Sequence, residues 1–413
     1  MDKVGQHPSL GQTPRYQSLD AWRGVACLLV VLYHATLVFT STSTADVASN
    51  AAESICRSLI SACGCGWIGV PLFFVISGYC ITATAQSTLR KNGSVKDYFW
   101  RRFRRIFPPY WCMIGLGVLL FLLVDMMLYP NLLSKEPWAQ YRPWWFSPSQ
   151  WLGNLTLTET WRYHVLGDGR GMFIGQAWTL CYEEQFYAVV GVILAVSRGR
   201  FFTGAIVVTF LALAAQLLSR ANAVAIGGFF FDGQWLSFAA GILVYHVIHR
   251  RGKVGRSSAV AVLLIIGGLS LYSPEFFAHG AFVAMPFAAL LILIYPFDDY
   301  LRGMRLARPL FVCGTMCYSM YLVHQLIVAG ISRALMEHGV DTAVGLMLVT
   351  LPACLVASLV FGWVFYVLVE QRFLNSSPVV RRGGDEPEKA PIAQVGNSPL
   401  RPAAAEGFAD AEA

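Results

Sequence analysis

The sequence predicts an all-α, polytopic integral membrane protein with about ten transmembrane helices and both termini in the cytoplasm. The 413 residues are 56% hydrophobic and only 13% charged, with a mean hydropathy of +0.53. A soluble protein carries roughly 25% charged residues, so this composition excludes the soluble globular class. Apolar runs of about 20 residues, enough to cross a hydrocarbon core of ~30 Å, recur along most of the chain.

Ten such runs define the predicted helices, and the basic residues orient them. When the connecting loops alternate between the two sides, 24 of the 31 Lys and Arg residues fall on the side of the termini. The positive-inside rule assigns that side to the cytoplasm. An odd number of helices would remove this difference between the two sides, which supports the count of ten. The ten runs are 19–40, 66–86, 106–128, 176–196, 201–219, 229–248, 258–273, 280–296, 310–330 and 343–368.

The net charge of +7 therefore reflects the basic loops on the cytoplasmic side of a membrane protein. Basic residues of membrane proteins mostly lie at the cytoplasmic surface, so no nucleic-acid partner is expected. Membrane lipid is the expected surrounding partner. The predicted location is the cell membrane, and the inner membrane if the source is a Gram-negative bacterium.

Composition divides the chain into three parts. Residues 1–17 form a polar cytoplasmic segment without a cleavable signal pattern, so the first helix is expected to act as an uncleaved insertion signal. Residues 18–374 hold the transmembrane domain. Residues 375–413 are rich in Pro, Ala, Gly and acidic residues, which predicts a disordered cytoplasmic tail.

The ten cysteines contain no metal-type pair of CxxC motifs, and no metal site is predicted. Most of them lie in apolar runs, as small core residues do. Cys56, Cys63 and Cys65 fall in a predicted loop. If that loop faces an oxidising compartment, two of them could pair, and the sequence leaves this disulfide open.

The first helix carries one arginine at its beginning and one histidine deep inside. Arg23 and His34 are eleven positions apart, almost three turns, so they share one face and lie ~16 Å apart along the axis. An ionisable residue deep in a membrane helix indicates a functional site. The alternative is a histidine that packs by hydrogen bonding to a neighbouring helix.

The second helix begins with a run of small residues. Gly66, Gly69 and Gly78 predict close helix packing. Ser77 is interpreted either as a polar contact in a cavity or as a donor to its own helix.

Four arginines within five residues precede the third helix. Arg102 and Arg105 are three positions apart and share a helix face, and Arg101 and Arg104 form a second such pair. The cluster predicts either a topogenic anchor beside anionic lipid or a phosphate site, since guanidinium binds phosphate through a planar fork.

The external loop at about 129–175 is rich in Trp, Tyr and Phe. It predicts either an interfacial aromatic belt or a stacking surface for a sugar. Beyond it, Glu183 and Glu184 lie in an apolar span, about 100° apart around the helix, and need different partners. Because His34, Glu183 and His324 are all expected roughly 10 Å below the outer surface, they predict a His–carboxylate–His cluster.

Taken in order and spacing, these motifs resemble the membrane-bound acyltransferase-3 family of multi-pass O-acyltransferases. The resemblance covers about residues 15–374. Its segments are Leu19 to His34, Gly69 to Gly78, the Arg-x-x-Arg before Pro108, Trp178 to Glu183, Tyr318 to His324, and Glu370.

The resemblance implies a role for each matching site residue. Arg23 and His34 match the family's catalytic pair. Glu183 matches the carboxylate after a Trp-Ser-Leu motif, with Thr179 in place of Ser, which keeps a hydroxyl.

The remaining matches concern binding. Arg102 and Arg105, with Arg101 and Arg104 as the alternative register, are implied to bind the donor. The candidate substrate-binding residues are Trp178, Tyr321 and His324.

The predicted function is a membrane O-acyltransferase. The implied donor is cytoplasmic acyl-CoA, most simply acetyl-CoA, with no permanently bound cofactor. The implied acceptor is a carbohydrate hydroxyl of an exopolysaccharide, lipopolysaccharide, Nod-factor-like oligosaccharide or glycolipid.

Two points stay open at this level. His34 is either a general base for the hydroxyl or a covalent acyl carrier. Glu183 is expected either to orient His34 or to stabilise its imidazolium, as the third member of a triad does. The alternative function is a glycolipid transporter or flippase in which buried His and Glu relay protons, and a third is a membrane sensor or structural protein.

Overall fold

The computed structural model describes residues 16–42, 51–123, 142–220, 227–272 and 280–374. Every regular element within these ranges is a helix. The helices are α1 (Leu19–Thr42), α2 (Ala51–Gly64), α3 (Gly69–Arg90), α4 (Val95–Leu123), α5 (Pro148–Thr156), α6 (Glu159–Leu166), α7 (Trp178–Val196), α8 (Phe201–Arg220), α9 (Gln234–Arg250), α10 (Lys253–Tyr272), α11 (Ala281–Ile294), α12 (Asp298–Gly303), α13 (Arg308–Thr315), α14 (Cys317–Glu337), α15 (Ala343–Gly345), α16 (Leu351–Phe365) and α17 (Gln371–Phe373).

Shorter helical turns join several of these elements. The last helices form one continuous segment because π-helical turns at Leu346–Thr350 and Tyr366–Glu370 connect α15, α16 and α17. The predicted tail 375–413 and most of the N-terminal segment 1–17 lie outside the described residues, so both stay predictions.

The described residues contain eight helical segments long and apolar enough to cross a membrane. They are Ala51–Arg90, Val95–Leu123, Gly175–Val196, Arg198–Ser219, Lys253–Tyr272, Ala281–Gly303, Cys317–Glu337 and Ala343–Phe373. The all-α polytopic membrane fold is therefore confirmed. Two further predicted runs match α1 and α9, which lie outside these eight segments, so the count of ten and the orientation of the termini stay predictions.

Close approaches at glycine hold α1, α3 and α9 together. A Cβ at Gly66 or Gly69 would lie 2.1 and 2.4 Å from carbonyl oxygens of α1, and one at Gly78 would lie 2.0 Å from a carbonyl oxygen of α9. A Cβ at Gly241 of α9 would likewise lie 1.9 Å from the Val75 carbonyl oxygen of α3. The predicted packing role of the three glycines is confirmed, since a side chain would separate these backbones.

Helix α1 lies inside the bundle, where it packs against α3, α13 and α14. Its contact with α13 also depends on glycine, because a Cβ at Gly314 would lie 1.6 Å from the Asp20 carbonyl oxygen. The burial of α1 brings its shared face, with Arg23 and His34, towards neighbouring helices rather than lipid.

The predicted loop with three cysteines is instead helical. Cys56 and Cys63 belong to α2, and Cys65 to the 3-10 turn Cys65–Ile68 that follows. All three are free thiols. Cys56 and Cys63 are two helical turns apart on a rigid element, about 10 Å along the axis, which is beyond the Cα separation a disulfide tolerates.

The described part of the external loop, from residue 142, is ordered by polar contacts around α5 and α6. The Arg162 Nε donates to Glu159 at 2.6 Å, both side chains are almost fully buried, and a second Arg162 nitrogen donates to Asp168. The Ser149 hydroxyl also donates to Asp168, at 2.5 Å. These two donors hold the pKa of Asp168 below its usual range.

The aromatic residues of this loop divide into two groups. Trp144 and Trp145 are 48% and 57% exposed, whereas Trp151 packs with Phe146 and Phe173. Trp138 and Tyr141 lie outside the described residues.

Candidate active site

A cavity of about 120 Å³ lies between α1, α3, α4, α7 and α14. Most of the predicted polar residues of these helices meet there, although they are far apart in sequence. The polar side chains that line it are Arg23, Ser77, Cys80, Arg102, Arg105, Thr179, Glu183, Tyr187, Cys317, Tyr318 and Tyr321. We call it the central cavity.

Arg23 is fixed at one end of the central cavity. Its Nη1 donates to Asp20 at 2.8 Å, one turn earlier on α1, and its Nη2 contacts the Cys80 sulfur at 3.0 Å. The guanidinium is thus oriented before any ligand binds. We call this the arginine end of the bundle.

The arginine cluster separates into its two predicted pairs. Arg102 and Arg105 line the central cavity. Arg101 instead donates to Thr88 at 2.7 Å, and Arg104 donates to the Arg372 carbonyl at 3.4 Å. Only the first register thus faces the cavity, because residues one position apart on a helix point about 100° apart.

Arg102 is held in place while part of its fork is unused. Its Nη2 donates to Thr84 at 2.5 Å, and its guanidinium lies 5.4 Å from the centre of the Tyr187 ring. Its Nε is buried without a hydrogen-bond partner among the described residues. A buried, unsatisfied guanidinium donor favours an anionic ligand.

Glu183 is bound into a network with a tyrosine that the sequence reasoning missed. The Tyr187 hydroxyl donates to Glu183 at 3.1 Å, and the Ser77 hydroxyl lies 3.2 Å from the same tyrosine oxygen. The contact of Ser77 in the cavity is therefore the correct one of its two interpretations. The signal for Tyr187 was its position one turn after Glu183, on the same helix face.

His34 and His324 meet at the opposite end, which we call the histidine end. Their ring centres are 5.0 Å apart in an edge-to-face arrangement. The Nδ1 of His34 lies 2.9 Å from the Val30 carbonyl, and that of His324 lies 2.7 Å from the Tyr321 carbonyl. A carbonyl can only accept, so in the neutral rings each Nδ1 carries the hydrogen and each Nε2 keeps a free lone pair.

Both histidines lie one turn beyond the central cavity. Val30 of α1 and Tyr321 of α14 line the cavity, and His34 and His324 follow them by four and three positions. The rise is about 6 Å or less. His324 is fully buried, and its Nε2 has no hydrogen-bond partner among the described residues.

The predicted His–carboxylate–His cluster is only partly formed. The two histidines touch, but Glu183 bonds Tyr187 and faces the cavity beside Arg102 and Arg105. Similar depth along three helix axes does not bring side chains together, because each side chain also points in its own direction around its helix.

Tyr321 and Trp178 occupy different sites. The Tyr321 hydroxyl contacts Thr179 at 2.7 Å and donates to the Gln176 carbonyl, at the central cavity. Trp178 lines a separate pocket with Tyr163, Arg170 and Tyr182, whose other residues are Thr160 and Gly228. We call this the loop pocket, because α6 and the turn before α9 form part of its wall.

Glu370 positions the helix that carries Tyr321 and His324. Its carboxylate accepts from the backbone nitrogen of Ser319 at 3.1 Å and from the Ser319 hydroxyl at 2.5 Å. Ser319 lies in the first turn of α14, so this buried carboxylate accepts from one of the amide groups that have no partner within the helix. Among the described residues, no group of three His, Cys, Asp or Glu side chains could hold a metal ion.

Several curated proteins are similar to this chain. The membrane-bound transacylase candidate BcsY of Komagataeibacter xylinus is 26% identical over 397 residues, which is 89% of this chain and 86% of that protein. The peptidoglycan O-acetyltransferase candidate YrhL of Bacillus subtilis is 24% identical over 76% of this chain and 52% of its own length. Peptidoglycan O-acetyltransferase OatA of Listeria monocytogenes is 26% identical over 43% of this chain and 25% of its own. The chain thus spans about half or less of the two peptidoglycan relatives.

No solved structure matches the chain. A family model described as an acyltransferase domain matches residues 16–367, which include every predicted site residue. This match favours the enzyme over the transporter and the sensor. The chain is a multi-pass cell-membrane acyltransferase and belongs to the acyltransferase-3 family.

Proposed function

We propose that this protein transfers an acyl group, most simply acetyl, from acyl-CoA to a hydroxyl of a carbohydrate. The observation that carries the proposal is the central cavity, which joins three arginines at one end to two histidines one turn beyond the other. Such an arrangement suits a donor with an anionic head and a reactive group at the far end of a thin arm.

The arginine end is proposed to hold the phosphates of CoA. Arg23, Arg102 and Arg105 all line the cavity, and the Arg102 Nε is a buried donor still without a partner. Guanidinium groups bind phosphate oxygens with charge-assisted bonds. The ~16 Å of helical rise between Arg23 and His34 is comparable with the length of the CoA arm.

The histidine end is proposed to activate the acceptor. A hydroxyl is a weak nucleophile, and a neutral histidine with a free Nε2 lone pair is a suitable base. The acceptor oxygen would attack the thioester carbonyl while His34 takes its proton. The C–S bond then breaks, and the CoA thiolate leaves and recovers that proton, which yields the ester and free CoA.

A covalent route uses the same atoms in two steps. His34 Nε2 would first attack the thioester carbonyl, and the C–S bond would break as the CoA thiolate leaves. The acceptor hydroxyl would then attack the acyl-imidazole, the N–C bond would break, and the hydroxyl proton would go to the CoA thiolate, which yields the ester, free CoA and neutral His34. Rapid acid quenching in the absence of acceptor distinguishes the routes, since only the covalent one leaves labelled acyl group on the protein.

Glu183 is assigned a different role from the one first expected. It bonds Tyr187, whose ring lies against the Arg102 guanidinium. We therefore propose that Glu183 shapes the donor site and balances its charge. His324, packed edge-to-face on His34, would position the catalytic ring.

The loop pocket is proposed to receive the sugar. Trp178, Tyr163 and Tyr182 offer aromatic faces and Arg170 a cation, and the pocket has a volume of about 340 Å³. Two of the relatives are named for O-acetylation of peptidoglycan, a polysaccharide, which supports a carbohydrate acceptor here.

Acetyl-CoA turnover by the purified protein tests the proposal. Free thiol should accumulate, and an added oligosaccharide should gain an acetyl-sized mass in proportion. Sugar movement across vesicles without any thiol release would contradict it.

A further inference from the structure

A second basic pocket lies at the arginine end, between α3, α8 and α9, and shares no lining residue with the central cavity. Arg90 and Arg250 are the last residues of α3 and α9, and Arg198 and Arg200 form the 3-10 turn before α8. The pocket has a volume of about 520 Å³. We call it the basic pocket.

The charge of the basic pocket is not neutralised by its own lining. No Asp or Glu belongs to the residues that line it. Arg198 donates to the Gly93 carbonyl at 2.6 Å, and Arg250 donates to the Gln86 side chain at 3.1 Å. Both partners are neutral, so these bonds orient the guanidinium groups and leave their positive charges in place.

His246 adds an unused donor to the same lining. Its Nε2 accepts from the Arg251 guanidinium at 3.3 Å, so in the neutral ring the hydrogen lies on Nδ1. That Nδ1 is buried and has no partner among the described residues. A buried donor without an acceptor is costly, and a ligand oxygen would satisfy it.

The position of the pocket points to the membrane interface. Helix α8 begins there with Phe201 and Phe202, which also line the pocket. One turn and more further on, Ile206 and Phe210 are 56% and 67% exposed, as lipid-facing residues are. The pocket therefore lies at the foot of a lipid-facing helix, at the level where phospholipid head groups meet basic side chains.

We propose that the basic pocket binds a phosphate group, carried by a membrane phospholipid or by a soluble phosphate compound. Arginine forks would take the phosphate oxygens, and the His246 Nδ1–H would donate to one of them. The inference does not depend on the donor or acceptor assigned to the central cavity, since none of these residues belongs to it.

The test compares two double variants of the full-length protein in detergent. Arg198→Gln with Arg200→Gln removes two exposed charges from the pocket. Arg302→Gln with Arg305→Gln removes two exposed charges at α12 and the turn after it, outside the pocket. Retention of phosphatidylglycerol is measured by native mass spectrometry, with phosphatidylcholine at the same mole fraction and with inorganic phosphate as the other two probes.

The wild type and the α12 variant should retain the phosphate ligand, and the pocket variant should bind it about tenfold more weakly or worse. Retention of phosphatidylglycerol but not of phosphatidylcholine identifies a lipid as the source of the phosphate. Retention of inorganic phosphate alone identifies a soluble source. Equal binding by both variants, or equal loss in both, overturns the proposal.

Discussion

The backbone carbonyls of Val30 and Tyr321 determine which nitrogen of each central histidine is free. Each accepts from an Nδ1 on its own helix, and so His34 and His324 turn their Nε2 atoms away from the helix axis. Only one of the two is fully buried, since His34 keeps partial exposure while His324 has none. The more accessible ring is better suited to meet two substrates, which supports the proposal that His34 transfers the proton.

Replacing His34 should stop the reaction without unfolding the protein. His34→Ala removes the free Nε2 and should lower the acyl-transfer rate by about 10²–10⁴-fold, the usual contribution of a general base. His338→Ala is the matched control, because that ring lies exposed at the end of α14. The measurement is acetyl transfer per folded protein, and near-normal activity of His34→Ala would make His324 the candidate base.

The two arginine pairs offer a test within one helix. Arg102→Ala with Arg105→Ala should raise the apparent KM for acyl-CoA, because each lost charge-assisted bond costs about 1.5–3 kcal/mol. Arg101→Ala with Arg104→Ala removes the same number of charges from the same part of α4. These two side chains do not line the central cavity, so the apparent KM for acyl-CoA should change little.

A truncated donor sharpens this comparison. With an acyl thioester that lacks the nucleotide, the Arg102 and Arg105 variant should perform almost as the wild type does. Equal losses with full and truncated donors, or in both variants, would assign the cluster to membrane topology instead.

At the scale of helices, glycine contacts fix the position of each site residue. Helices α3 and α9 cross closely, because a Cβ at Gly78 or Gly241 would lie 2.0 or 1.9 Å from a carbonyl oxygen of the other helix. Ser77 and Cys80, on either side of Gly78, line the cavity directly. A shift of α3 would therefore move the partners of both Tyr187 and Arg23.

Gly241→Ala should destabilise the protein by about 1–3 kcal/mol, the usual cost of overpacking. Its new methyl group would meet the Val75 carbonyl at 1.9 Å. Gly330→Ala is the control, since a Cβ there has no neighbour within 4 Å, and alanine is the better helix former. Thermal unfolding in detergent should show a lower Tm for the first variant only, and equal Tm values would contradict the packing argument.

The hydropathy pattern predicts most of the long helices but not the short helix α2. The apolar runs at 201–219 and 343–368 correspond closely to α8 and to the last helical segment. The residues around Cys56 lie between two predicted apolar runs and so predict a loop, yet they form α2. Length and composition carry the information for a span, whereas a short amphipathic helix depends on what it packs against.

The sequence predicts which site residues share a face when both residues belong to the same helix. The Arg23–His34 face and the Arg102–Arg105 pair follow from helical periodicity alone. The Ser77–Tyr187 contact and the Glu370–Ser319 bond join residues 110 and 51 positions apart. Such contacts depend on the rotation of each helix in the bundle, which a single sequence does not specify.

At the scale of the whole molecule, the two halves of the proposed reaction lie at opposite ends of one cavity. The arginines lie at one end of the cavity, and the histidines lie beyond the other end. Arg23 and His34 are ~16 Å apart by helical rise. The positive-inside rule, applied to the sequence, assigns the arginine end to the cytoplasm. A donor that enters there could present its acyl group near the opposite face while its phosphates stay at the cytoplasmic mouth.

We therefore predict acylation across the membrane, with the donor on the cytoplasmic side and the acceptor on the other. In oriented vesicles, acetyl-CoA is supplied only at the cytoplasmic face and a membrane-impermeant sugar only at the opposite face. Acetylated sugar should appear in the sugar's compartment and free CoA in the other, because the arm reaches through the cavity while the charged head stays behind. Vesicles that contain His34→Ala control for non-enzymatic acetylation of the sugar, and an assay of acetyl-CoA in the sugar's compartment controls for leakage. If product forms only when both substrates share the cytoplasmic face, the cross-membrane geometry is wrong, even though the transfer of an acyl group would stand.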